Sequence, residues 1–202
     1  MASVYDLKPK FQNLLRPLCA AMARGGITAN QVTAGAMLLS IAGGAAIILS
    51  HAAPWSLLLL PLLLFVRMAL NAIDGMLARE FGQKSRLGAV LNEMGDVISD
   101  TALYLPFAVI AGVNALLVSA VVVIGVMTEM AGVVAVQIGA DRRYDGPFGK
   151  SDRAVFFGGL GFFLGLGIAP GIWTDALLVL AAAAGLLTIV NRARAALLGS
   201  QT

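Results

Sequence analysis

Residues 71–100 read NAIDGMLAREFGQKSRLGAVLNEMGDVISD, and this stretch decides the fold because it sets polar side chains on two helical faces joined by a turn. Asn71, Asp74, Gly75 and Ala78 recur at three- and four-residue steps and so share one face. Gly88, Asn92, Asp96 and Asp100 share a face of the next helix, drifting about 40° per step. Gly82, Gln83 and Lys84 form the turn between them. Folding the two helices about that turn sets Asp74 level with Asn92, Asn71 with Asp96 and Arg67 with Asp100. The first two layers fall roughly 12 to 20 Å in, at about 1.5 Å per residue.

Outward from this hairpin the chain is apolar almost throughout. Of its 202 residues 59% are hydrophobic and 12% charged, with a mean hydropathy of +0.87, a balance that excludes a soluble domain. A helix crossing ~30 Å of hydrocarbon takes about 20 residues. Apolar runs between charged or Gly/Pro breaks predict six such spans, at 27–50, 54–82, 86–111, 113–140, 153–169 and 172–197. Residues 3–22 mix Lys8, Lys10 and Arg16 with Phe11, Leu14, Leu15, Leu18 and Met22, the pattern of an amphipathic helix lying in the interface. The expected fold is therefore an all-α integral membrane protein, one domain over 1–202, with an interfacial helix at 3–22 and a six-helix bundle at 27–197. The start of the chain lacks the short basic region, continuous apolar stretch and cleavage site of a secretory signal, so it is expected to remain. Cys19 is the one cysteine and reads as a small apolar filler.

Lys and Arg are retained on the cytoplasmic side of a membrane. In a six-span arrangement the N-terminal segment, the turn with Arg79, Lys84 and Arg86, the loop with Arg142, Arg143, Lys150 and Arg153, and the tail with Arg192 and Arg194 all fall on one side. His51, a solvated loop residue, and Asp175 fall on the other. Both termini are thus expected in the cytoplasm, as a multi-pass protein of the cytoplasmic (inner) membrane. The pI near 9.4 reflects this bias and contact with anionic membrane lipids, not a nucleic-acid partner.

Ionisable groups at membrane depth are costly and by default mark function. Asp74, Asn71, Asn92 and Asp96 bring four oxygen-bearing side chains together from facing helices, as coordination of a hard cation requires. Gly75, Ala78 and Gly88 leave space beside them. Arg67 level with Asp100 reads as a buried ion pair fixing the hairpin, with metal binding by Asp100 the other reading. Glu129 lies deep enough either to compete for Arg67 or to meet a substrate.

These residues resemble the signature of the CDP-alcohol phosphotransferase (CDP-alcohol phosphatidyltransferase) family, DxxDGxxAR followed across the turn by GxxxDxxxD. Asp74, Gly75, Ala78, Arg79, Gly88 and Asp96 match with every spacing kept, while Asn71 and Asn92 stand at the first and third Asp positions. The interfacial helix, the six spans and the GITANQVT start of the first span extend the resemblance. It implies transfer of a substituted phosphate from a CDP-alcohol, usually CDP-diacylglycerol, to an acceptor alcohol with release of CMP, in phospholipid biosynthesis. It implies Asp96 as general base and metal contact, Asp74 as principal metal ligand, and Arg79 on the nucleotide phosphate. Gly75, Ala78 and Gly88 would line the CDP slot beside Asp74. It also implies one or two Mg²⁺ or Mn²⁺ ions, with Asn71 and Asn92 as uncharged ligands; Glu93 points about 100° away from Asn92 and is a poor substitute. Homodimers are usual in that family.

The loop DRRYDGPFGKSDR has two readings. Its cations Arg142, Arg143, Lys150 and Arg153 either face anionic lipid heads or bind the phosphate of a phosphorylated acceptor, with Lys150 and Arg153 the preferred pair. Two other functions compete with the transferase: a catalytically degenerate relative that binds lipid or nucleotide without turnover, motivated by Asn71 and Asn92, and an ion-coupled transporter. The Asp-Gly-x-x-Ala-Arg motif argues against the transporter.

Overall fold

The structure, a computed structural model, describes residues 4–199 and the side chains of 10–199. The described residues form helices α1 (Val4–Arg24), α2 (Ala29–Leu49), α3 (Pro54–Glu80), α4 (Arg86–Tyr104), α5 (Ala115–Gln137), α6 (Lys150–Gly165) and α7 (Ile172–Gly199), with a 3-10 segment at Leu105–Val109. Four of them, α2, α3, α5 and α7, are long and apolar enough to cross a membrane. The remaining two predicted spans correspond to α4, which carries Arg86, Glu93, Asp96 and Asp100 along its length, and α6, which is 16 residues long. Of the predicted interfacial segment, residue 3 and the Lys8 side chain lie outside the described residues.

Helix ends follow local chemistry. At the end of α1, Gly26 takes φ +77° while its N–H reaches the Ala23 carbonyl and that of Ile27 reaches Met22, the glycine-terminated Schellman arrangement. Two residues later Thr28 and Gln31 exchange side-chain and backbone bonds at 2.9 and 3.3 Å, a capping box that starts α2. Pro106, with no N–H to give, falls where α4 passes into the 3-10 segment, so this helix ends earlier than the predicted limit of 111. The start of α6 lies three residues before the predicted 153, because Asp152 accepts the Gly149 N–H at 2.9 Å and caps the first turn.

The chain divides into two compact units. One comprises the described part of Met1–Ala42 together with Leu63–Ser99, the other Gly43–Leu62 with the described part of Asp100–Thr202. In the first unit α1 lays Leu15, Met22 and Ala23 against a core of Cys19, Ala29, Val32, Ile73, Met76 and Leu77, leaving Leu14 and Leu18 exposed. Cys19 is fully buried there, as expected of an apolar filler. In the second unit α5 packs along α7, and Phe157 of α6 stacks on Tyr104 at 4.2 Å between centroids. Small residues let backbones approach: a Cβ at Gly165 would lie 2.9 Å from Leu58 Cγ.

Candidate active site

The α3–α4 turn is tied to the start of α2. Gln83 accepts the Ala29 N–H at 2.7 Å, Ser85 Oγ accepts the Gly88 N–H at 2.9 Å, and a Cβ at Gly88 would come 2.7 Å from Asn30 Oδ1. Gly88 thus admits the α2 N-terminus beside α4. From this anchored turn the motif residues rise at graded depth. Asp74 is buried, Asn71, Gly75, Ala78 and Asp96 are half-buried, and Arg79 and Asn92 are exposed.

The Thr33 hydroxyl donates to Asp74 Oδ2 at 2.8 Å. That bond orients the carboxylate, and sequence reasoning missed Thr33 although it lies just past the capping box. Arg79 folds back over Gly75, where a Cβ would meet its Nη2 at 3.1 Å, so the guanidinium sits over the glycine next to Asp74. Ala78 packs against the apolar core of this unit. Arg67, buried in α3, donates to the Asp96 carbonyl at 3.2 Å and lies 3.7 Å from Asp96 Oδ1. The long Arg67 side chain thus reaches Asp96, one helical turn nearer the α3–α4 turn than Asp100, the partner expected from the sequence, and that expected pairing stays a proposal.

In the second unit a buried ionic network gathers Asp100, Glu129, Arg142, Arg153 and Arg192. Arg153 donates through Nε and Nη2 to Asp100 Oδ2 at 2.9 and 2.8 Å, through Nη2 to Glu129 Oε1 at 2.9 Å, and through Nη1 to Thr128 Oγ1 at 2.9 Å. Glu129 Oε2 accepts from Arg142 at 3.1 Å and lies 3.5 Å from Arg192 Nη1, which also donates to the Thr128 carbonyl. Arg153 and Arg192 are each 2% exposed, Glu129 7%. Face-sharing glycines on α5 make this possible. A Cβ at Gly125 would press on Arg153 Cδ at 3.1 Å, and one at Gly132 on Arg192 Nη1 at 3.3 Å.

The loop cations assigned to an acceptor phosphate are thereby placed individually. Arg142 and Arg153 converge on Glu129, Arg143 forms a paired bond with Asp145 at 2.9 and 3.1 Å, and Lys150 opens α6. The Arg143 hydrogen bond holds the Asp145 carboxyl below the usual carboxylate range. Arg192, read from sequence only as a cytoplasmic cation, is a buried member of the network; the signal for it was the Gly-x-x-x-Glu-x-x-Gly spacing of α5, which clears one face of a helix for large partners.

Asn71, Asp74, Asn92 and Asp96 form a set of oxygen donors that fits a hard divalent cation. Among the described residues no three Asp, Glu, His or Cys side chains gather at one point. Asp74 and Asp96 offset the charge of a single such ion, the amides of Asn71 and Asn92 add oxygen without charge, and Arg67 already stands beside Asp96.

This arrangement of helices and motif is that of a known class. The chain matches the CDP-alcohol phosphatidyltransferase family over residues 26–192 and belongs to that family. It is 47% identical over 198 residues to the inner membrane protein YnbA of Escherichia coli (strain K12), covering 98% of each chain. Its fold is similar to that of Mycobacterium tuberculosis phosphatidylinositol phosphate synthase. With CDP-DAG bound, that structure gives a TM-score of 0.73 at 23% identity, over 92% of this chain and 96% of the other. Solved with manganese and citrate, it gives the same TM-score and identity over 92% and 91%.

Proposed function

We propose that the protein transfers a substituted phosphate from a CDP-alcohol, CDP-diacylglycerol, to an acceptor hydroxyl and releases CMP. The observation that carries this reading is the motif hairpin itself, in which Asp74 and Asp96 rise from one anchored turn at graded depth. The acceptor oxygen attacks phosphorus in line, an O–P bond forms, and the P–O bond to CMP breaks. Asp96 takes the proton of the acceptor hydroxyl. Arg67, donating to the Asp96 carbonyl, positions that turn of α4. Arg79, folded over Gly75, lies where it can meet a nucleotide phosphate, and Thr33 holds Asp74 in one orientation.

A divalent cation, Mg²⁺ or Mn²⁺, would be held by Asp74 and Asp96 with Asn71 and Asn92, and would neutralise charge on the diphosphate. The manganese in the M. tuberculosis structure and its CDP-DAG support a metal and a CDP-lipid here. The protein acts as a single domain of six spans with α1 in the interface, both termini and the site facing the cytoplasm. Placement in the inner membrane is supported by YnbA, and a homodimer is the expected assembly.

A second reading is favoured by Asn71 and Asn92, amides at two positions where the family signature has Asp: a relative that binds lipid or nucleotide without turnover. Purified protein with Mg²⁺ or Mn²⁺, given CDP-diacylglycerol and a panel of acceptor alcohols, separates the two. Acceptor-dependent CMP release supports transfer, and saturable CDP-lipid binding without CMP under every acceptor and metal supports the binder.

A further inference from the structure

Glu129 stands where an anionic ligand of the arginine cluster would stand. Its carboxylate receives Arg153 at 2.9 Å and Arg142 at 3.1 Å, with Arg192 at 3.5 Å. Guanidinium groups converging on two carboxylate oxygens are the arrangement that also recognises a phosphate monoester. The Arg142 side chain keeps 18% of its surface exposed, so the cluster reaches the protein surface along that edge. Asp100, which holds Arg153 from the other side, occupies the turn of α4 after that of Asp96.

We infer that Glu129 is a specificity-determining residue that fills the anion position of the Arg142–Arg153–Arg192 cluster, so that the acceptor is an alcohol without a phosphate monoester. The inference rests on the transfer reaction proposed above for what the acceptor is. The physical argument is one of charge. With Glu129 and Asp100 in place, two carboxylates face three guanidinium groups, and an incoming phosphate must displace a bonded carboxylate or lie against it as a like charge in a poorly screened site. An uncharged hydroxyl compound meets no such repulsion. Discrimination of this kind comes from a repulsive element built into the chain. Removing the carboxylate leaves cationic charge in excess and, in an alanine variant, a gap of carboxylate size beside Arg142.

The test is calorimetric titration of inorganic phosphate and of glycerol 3-phosphate into the full-length protein in phosphatidylcholine nanodiscs. Wild type, Glu129→Ala and Glu129→Gln are compared, the last keeping side-chain volume if the alanine variant does not fold. At least one variant is expected to bind inorganic phosphate about tenfold or more tightly than wild type, as release of charged partners from a fixed carboxylate allows. A merely structural Glu129 would lower stability without creating a phosphate site. Wild type binding phosphate as tightly as the variants overturns the inference, and so does failure of every folded variant to gain binding. Wild-type CMP release is measured in parallel with glycerol and glycerol 3-phosphate as acceptors, and faster release with glycerol 3-phosphate also overturns it. No CMP with any acceptor defeats the transfer reaction instead, while the phosphate titrations still decide the role of Glu129.

Discussion

In the α3–α4 hairpin the polar groups grade from buried Asp74 through half-buried Asp96 to exposed Asn92, whereas around Arg153 the groups Asp100, Thr128, Glu129 and Arg192 are all buried. The first cluster contains acidic and amide oxygens with guanidinium groups at its margins. The second is a lattice of guanidinium–carboxylate bonds. A charge withdrawn from water is tolerated only when bonded, and within a membrane this holds more strongly. The second cluster meets that demand with protein groups and so fixes helices. The first grades from buried to exposed along the hairpin, and a ligand of the kind proposed would enter from its exposed end.

The largest effect that sharpens this contrast is on stability. Arg153→Met removes the guanidinium that Asp100 and Glu129 share and should cost about 3 to 5 kcal/mol, the scale of breaking a buried ion pair by removing one partner. Asp96→Asn should cost less, because the Arg67 contact it loses is long at 3.7 Å and Arg67 still donates to the position-96 carbonyl. Denaturation in mild detergent checks both, and equal losses would erase the distinction between the clusters. A companion test concerns the sequence-level pairing of Arg67 with Asp100. If these two also share a bond, replacing both with apolar residues should recover part of the loss of either single change, and additive losses would remove that bond.

The next effect is on metal binding. Asn71→Asp with Asn92→Asp adds two negative charges facing a cation in a weakly screened site and should tighten Mn²⁺ affinity and raise the stoichiometry toward two. Calorimetry with CDP present reads this directly. Identical affinity and stoichiometry in wild type and double mutant would put positions 71 and 92 outside the metal shell.

The smallest effect is one of pH. The folded pKa of Asp145 is lowered by its bond from Arg143, so its contribution is full above the unfolded Asp value near ~3.9 and is lost as pH falls through the lower folded value. Its side chain is 41% exposed, so the pair contributes no more than about 0.5 kcal/mol at neutral pH. Asp145→Asn should shift stability by that little at pH 7 and flatten the acid limb of the profile; a loss of several kcal/mol would place Asp145 inside the buried network.

Helices were legible in the sequence because apolar runs and Gly/Pro breaks delimit them locally: α3 was predicted at 54–82 and observed at Pro54–Glu80, α5 at 113–140 and observed at Ala115–Gln137. The hairpin face was legible too, since helical spacing alone aligns Asn71 with Asp74 and Asn92 with Asp96. Partner choice across helices was not. Arg153 finds Asp100 across 53 residues of chain, a pairing set by helix rotation and by the clearance at Gly125, neither of which periodicity specifies. Thr33 escaped notice because a hydroxyl at the start of an apolar span carries no charge signal, and its meaning appears only when Asp74 comes within 2.8 Å.

The measurement closest to the central claim compares wild type and Asp96→Asn in single-turnover CMP release from CDP-diacylglycerol, with CDP-diacylglycerol binding measured on the same samples. Wild type should release CMP in an acceptor-dependent way. Asp96→Asn should bind the lipid nearly as well and lose transfer by about 10² to 10⁴-fold, the scale of a missing general base. Undiminished release by Asp96→Asn would contradict the assignment of the α3–α4 hairpin as the place where the acceptor proton is taken.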